Sequence, residues 1–159
     1  MTAQRLLFSL ATVTLLSLQP ACGGPARDGD AWIEPQLRPV VAEFFETAER
    51  LGVLLLGNLD QASTTSLDPK LNGLCWPSTG VVLVDRELDD DELRATVYHE
   101  LAHCAALVLV HDRDPSGWMA KRMPAGVKRD QEFEKFWPYI LRRSNEQRHT
   151  IQAAIDGGP

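Results

Sequence analysis

The chain lacks any excess of positive charge: 16 Lys and Arg stand against 22 Asp and Glu, a formal net charge of −6. No basic surplus is there to neutralise phosphates, so nucleic acid is excluded as an expected partner. Internal repeats and low-complexity segments are missing too, which sets repeat architectures aside. Beyond its first residues, the chain has no apolar run of the ~20 residues that a membrane-spanning helix needs. Cysteine and histidine are scarce, with three and four among 159 residues. That length holds one domain. A hydrophobic content of 44% with 7% aromatics suits a soluble globular core, expected to act as a monomer.

The N-terminus stands apart. Met1 to Arg5 is a short basic start, and Leu6 to Leu18 is an apolar run. That run is too short to span a bilayer comfortably but has the size of a signal-peptide core. Ala21-Cys22-Gly23-Gly24 follows. This resembles a bacterial lipoprotein signal, in which the cysteine after an apolar run and a small residue is lipidated and becomes the new N-terminus. Gln19 and Pro20 stand where that signal has an aliphatic and a small residue, so ordinary secretion is the alternative. Residues 1–22 are expected to be a signal peptide with Cys22 as the lipidation site. Residues 23–31, rich in Gly, Pro and charge, read as a flexible tether, and 32–159 as the working domain. Either route of export places that domain outside the cytoplasm. It would be anchored in the membrane of the cell envelope by the lipid, facing the periplasm or exterior, or else free. With Cys22 lipidated, Cys75 and Cys104 remain as a pair in an oxidising compartment, and a disulfide between them is expected. Two buried thiols, or metal ligation by Cys104, are the other readings.

Apolar spacing from Pro35 to Leu51 (Leu37, Val40, Val41, Phe44, Phe45, Ala48, Leu51) predicts a helix. Pro35 fits its first turn and Gly52 its stop. The apolar run Val53 to Leu59 reads as a buried strand, and the polar, turn-rich Gln61 to Gly73 as a loop. Gly80 to Asp85 is β-branched and reads as a strand. Asp89 is a good N-cap for a helix, with Glu92 three residues on completing a capping-box-like pattern. That helix is expected to run to about Leu109. Its core stripe is Leu93, Val97, Leu101, Cys104 and Val108, with a polar front of Thr96, His99 and His103. His111 to Gly126 is rich in turn residues. Gln131 to Ile155 reads as a last helix, kinked or divided by Pro138.

On the polar front lies His99-Glu100-Leu101-Ala102-His103. Two imidazoles four apart share one helix face and can hold one metal ion, with a carboxylate between them. The pattern is the H-E-x-x-H signature of zinc peptidases. His99 and His103 would supply two ligands to a Zn2+ ion, and Glu100 would take a proton from water and return it to the leaving amine. Cys104 points about 140° away from His99 on the helical wheel, towards the core stripe. The expected third ligand is His111. An unbroken helix would carry it too far along the axis, so the chain must turn back after about Leu109, yet no glycine stands there. A loop histidine without a role is the alternative, and Glu132 and Glu134 are fallback ligands.

The segment resembles metzincin-type zinc peptidases. In particular it is similar to small bacterial lipoprotein metallopeptidases that carry H-E-L-G-H-C, then His-Asp, then Met. Here those stand as HELAHC, His111-Asp112 and Met119. The interval from His111 to Met119 equals that of the Met-turn in matrixins. The likeness extends over Gly73-Leu74-Cys75-Trp76 and the strand Gly80 to Asp85, and spans roughly residues 32–124. It implies a small α+β domain of zincin type, with a short mixed sheet and a helix bearing the motif. His99, His103 and His111 would bind Zn2+, Glu100 would be the base, and Met119 would floor the site; a core methionine beside Trp118 is the other reading of Met119. The chain departs from the family at Ala102 and Ala106, which stand where glycines are usual, and in an interval from His103 to His111 two residues longer than the standard one. In zincins a strand above the motif helix pairs with extended substrate, a role implied for Gly80 to Asp85 as well as that of a plain core strand. Tyr139 and His149 are candidate oxyanion donors. The implied activity is a zinc metallopeptidase acting on a peptide or protein. A non-catalytic zinc-binding envelope lipoprotein and a zinc hydrolase of cell-wall peptides are the competing readings.

Overall fold

The computed structural model describes residues 31–111, 113, 118–120 and 129–156, the last segment without the side chains of 129–133. The expected signal peptide, Cys22, the tether up to residue 30, Asp112 and the side chain of Glu132 lie outside these. Among the described residues, the chain runs β1 (Trp32–Ile33), α1 (Arg38–Leu51), β2 (Gln61–Thr65), β3 (Gly73–Trp76), β4 (Val81–Asp85), α2 (Asp90–Cys104) and α3 (Arg129–Ile155). The fold is α+β. Its sheet is ordered β1-β2-β4-β3. β1, β2 and β4 are parallel, and β3 lies antiparallel on β4, with Cys75 opposite Val82. No helix among these residues is long and apolar enough to cross a membrane.

α1 forms on the expected stripe, with Leu37, Val41, Phe44 and Ala48 fully buried. It begins later than expected: Pro39, not Pro35, takes the first turn, where its missing N–H costs nothing. Gly52 ends it in the left-handed region at φ 69°, a conformation a residue without Cβ adopts without strain.

The next two expectations are overturned together. Val53 to Leu59 is not a strand, and the polar Gln61–Thr65, expected in a loop, is an interior strand. The backbone of the apolar run bonds to the ends of α1 and α2 and to a side chain of α3 instead of a sheet. Val53 N–H donates to Ala48, Gly57 N–H to Ala105, and Leu54 N–H to the Ser144 hydroxyl at 2.6 Å. In β2 the small Ala62 and Ser63 fit beneath neighbouring layers, and polar Thr64 is partnered. The Glu34 carboxylate accepts from its N–H and hydroxyl, and Gln36 donates to that hydroxyl. Polarity therefore misled where small or β-branched shape and side-chain partners decided.

α2 starts as expected, the Asp89 side chain accepting from the N–H groups of Asp91 and Glu92. It does not reach Leu109 but stops at Cys104. Nor does it have a solvated front: Ala95 to Leu101 are all buried, Thr96, His99 and Glu100 included. The helix is sandwiched. Tyr98 meets Phe44 of α1 at 5.3 Å and Phe136 of α3 at 5.4 Å, edge to face. Cys104 faces the sheet. α3 passes through Pro138 as one helix, not two; Pro138 is exposed, and its half of the helix packs through Phe136, Trp137 and Ile140.

Cys75 of β3 and Cys104 of α2 form a disulfide, Cα to Cα 5.9 Å. This sets aside the free-thiol and metal-ligand readings of Cys104 and ties the edge strand to the motif helix. Alkylation of the folded protein without reductant should therefore label neither cysteine, and mass spectrometry of tryptic peptides should find the cross-linked pair. Full labelling of both would contradict the bond.

Candidate metal centre

α2 presents His99 and His103 one turn apart, as their spacing requires. His111 reaches them because the helix stops early. The chain turns at Ala105 and Ala106 and passes Leu107 at φ 50°. No glycine serves this turn; Leu107 takes the left-handed conformation itself, at a cost of about 1–2 kcal/mol. The three histidines then converge, with one ring nitrogen from each lying within 4.8 Å of the others. The His111 ring stacks on His99 with centroids 5.2 Å apart and meets His103 at 4.9 Å. Glu134, a fallback ligand, is exposed on α3 and outside this group.

Backbone carbonyls set the tautomers of the two helix histidines. Nδ1 of His99 donates to the Trp118 carbonyl, and Nδ1 of His103 to that of Val108, each at 2.5 Å. A carbonyl only accepts, so both protons sit on Nδ1 and both Nε2 atoms offer lone pairs. Those atoms face each other at 3.0 Å. Two lone pairs at that distance repel unless something electrophilic joins them. A proton is disfavoured: burial, then the neighbouring His103, lowers the pKa of His99 to about 4, and burial also lowers that of His103. Neutral imidazoles oriented through Nδ1 to carbonyls are how metal-ligating histidines are held. Two ligands of one tetrahedral ion at about 2.1 Å stand ~3.4 Å apart, close to the observed separation. The three-histidine group therefore fits a metal ion.

Glu100 points into the same cleft, about 680 Å³ in volume. Its walls are β3 from Gly73 to Cys75, the loop from Pro69 to Asn72, the three histidines and Ala120. Burial pushes the carboxyl up to about 8. Gly73 closes over it: a Cβ there would stand 2.8 Å from Glu100 Oε1 and 2.6 Å from Thr96 Cγ2. Only glycine lets the strand come so near the carboxylate. Expected as the end of a loop, Gly73 instead begins the strand beside the site.

β3 is the edge strand that faces the cleft. β4, the strand implied for substrate pairing, is hydrogen-bonded on both sides, to β2 and β3, and has no free edge. That expectation moves to β3. Met119 is buried, between Trp118, whose carbonyl holds His99, and Ala120, which lines the cleft. Neither candidate oxyanion donor lines the cleft. Tyr139 is buried and donates its hydroxyl proton to the Val110 carbonyl at 2.6 Å, and His149 is exposed on α3. The carbonyls of Trp118 and Val108 were invisible to sequence reasoning, since every residue has one. Comparison with known protein families, with curated proteins and with solved structures finds no match to this chain.

Proposed function

We propose that this protein is an extracytoplasmic zinc metallopeptidase of zincin type, held at the cell envelope by a lipid on Cys22. One observation carries the reading: three imidazoles converge in a cleft beside a carboxylate from the same helix as two of them. Three histidines leave the fourth position of a tetrahedral ion open, as catalytic sites do and closed structural sites do not. The donor set is all nitrogen, which suits zinc better than the oxygen-seeking magnesium or calcium. When bound, Zn2+ would acidify a water and polarise the substrate carbonyl.

Glu100 is the base. Its carboxylate takes the proton of the attacking water and passes it to the leaving amine. Raised to about 8 by burial alone, it is drawn back towards the ionised form by a cation held at the histidines. Among the described residues β3 is an edge strand, and such an edge can offer an extended peptide backbone hydrogen-bonding partners over the site. Likeness to metzincins is supported by a short mixed sheet with one antiparallel edge strand, by the motif helix behind it, and by the buried Met119 next to the residue that orients His99. The disulfide is in keeping with export to an oxidising compartment.

The purified domain should take up one zinc per chain and hydrolyse casein or a peptide library. A chelator should stop hydrolysis, and added zinc should restore it. His103→Ala and His111→Ala should each weaken zinc binding by about 100-fold or more, beyond the 10–100-fold typical of residues that only orient a ligand. Hydrolysis indifferent to chelation would remove the proposal. Unchanged affinity in His111→Ala would remove that residue from the ligand set.

A further inference from the structure

The third ligand does not belong to a regular element. From Ala105 to His111 the chain has neither helix nor strand, so its backbone groups must find partners elsewhere. Side-chain burial does not fix its end either: Leu109 and Val110, the two residues before His111, are 64% and 56% exposed. Hydrogen bonds fix it, and three side chains donate to its carbonyls. Gln147 Nε2 donates to the Leu107 carbonyl at 3.1 Å, and His103 Nδ1 to that of Val108. The Tyr139 hydroxyl donates to the carbonyl of Val110. That last carbonyl belongs to the peptide plane that begins His111, so holding it sets where the imidazole starts.

The tyrosine is itself held. It is 5% exposed. Arg143 Nε donates to its oxygen at 3.4 Å, and the guanidinium groups of Arg142 and Arg143 lie 5.2 and 5.4 Å from its ring centre. An arginine donating to the phenol oxygen leaves the phenol proton directed to Val110. Tyr139 and Gln147 lie two helical turns apart on α3, with the loop laid along that face.

We propose that α3 is the clamp of the metal centre, with Tyr139 and Gln147 as the positioning residues of His111. The inference rests on the three histidines being a metal site. It gives α3, whose described residues supply no ligand, a part in metal affinity, and it gives Tyr139 a different task from oxyanion binding.

The test is zinc affinity by competition with a chromophoric chelator, measured on Tyr139→Phe and Gln147→Leu alongside thermal unfolding of the metal-free proteins. Tyr139→Phe keeps the ring and removes only the hydroxyl. Each substitution should weaken zinc binding roughly 10–100-fold, the effect typical of residues that orient a ligand. Co2+ bound in place of zinc should show an altered visible spectrum, because a displaced third imidazole changes the ligand field. Affinity within about twofold of wild type in both variants overturns the proposal, even if the melting temperature falls, since that pattern marks a purely structural contact. If Tyr139→Phe fails to fold, Gln147→Leu decides on the same criterion. His103→Ala separates the two levels of inference. If it too binds zinc like wild type, the metal centre fails and the clamp with it. If it loses zinc while both α3 variants do not, only the clamp fails.

Discussion

Glu100→Gln should lower peptide hydrolysis by about 10²–10⁴-fold, the usual contribution of a positioned general base, while zinc content stays at one per chain. The amide has the carboxylate's shape and fits the same space under Gly73, so neither the cleft nor the histidines need move. What it lacks is a lone pair basic enough to take a proton from water. The fold should not suffer. Burial raises the Glu100 carboxyl from 4.5 in the unfolded reference to about 8 in the metal-free protein. A group raised in this way supports folding fully below pH 4.5 and loses that contribution progressively as pH climbs from 4.5 through 8. The amide carries no such loss, so at neutral pH the metal-free variant should melt no lower than wild type. Activity assays on casein and a peptide library, with zinc by atomic absorption, check the first part, and thermal melts check the second. Equal activity in variant and wild type would leave Glu100 without a chemical role and end the peptidase reading. A variant that lost its zinc as well would mean that the carboxylate supports the metal site, not the water.

The motif that carries this prediction was legible because its signal is local. Two histidines four apart share a helix face whatever surrounds them, and Asp89 caps that helix through its own side chain. The stop at Gly52 and the strand at Val81–Asp85 were legible for the same reason. The middle of the sheet was not. Gln61–Thr65 has no apolar alternation, and its place as an interior strand depends on Glu34 and Gln36, residues nearly thirty positions away that satisfy Thr64. Nor could helical periodicity separate a polar front from a buried one. Thr96, His99 and Glu100 are polar yet enclosed, because a loop on one side and β3 on the other cover them. The site's third corner was the hardest. A turn was required before His111, but sequence rules look for glycine there, and the chain uses Leu107 at φ 50° instead. The Leu107 carbonyl is held by Gln147 and that of Val110 by Tyr139, contacts that only the folded chain makes.

Gly57→Ala should be the most damaging single-methyl change in the described part of the fold. A Cβ at residue 57 would stand 1.8 Å from the carbonyl oxygen of Cys104 and 2.9 Å from Leu107 Cδ2. The oxygen belongs to backbone, so no rotamer relieves the clash, and the two segments must part. Parting them breaks the bond from Gly57 N–H to the Ala105 carbonyl at the point where α2 ends. The expected cost is on the order of 4 kcal/mol, at the upper end of point-mutant effects. For a chain of this size that is a fall of about 10–15 °C in melting temperature. Gly52→Ala is the control. Gly52, unlike Gly57, has a positive φ, but nothing lies within 4 Å of its Cβ position, so only conformational strain of about 1 kcal/mol applies. Urea titration of the metal-free proteins reads both, as shifts of midpoint at constant slope. A Gly57→Ala midpoint equal to that of Gly52→Ala would show that the crossing at Cys104 yields easily. A large fall places the loop from Val53 to Leu59 among the structures that hold the end of α2. That is also where the chain turns towards His111, so Gly57→Ala protein that still folds should bind zinc more weakly than wild type. On that outcome the apolar run that looked like a strand would be a brace behind the turn that brings His111 to His99 and His103.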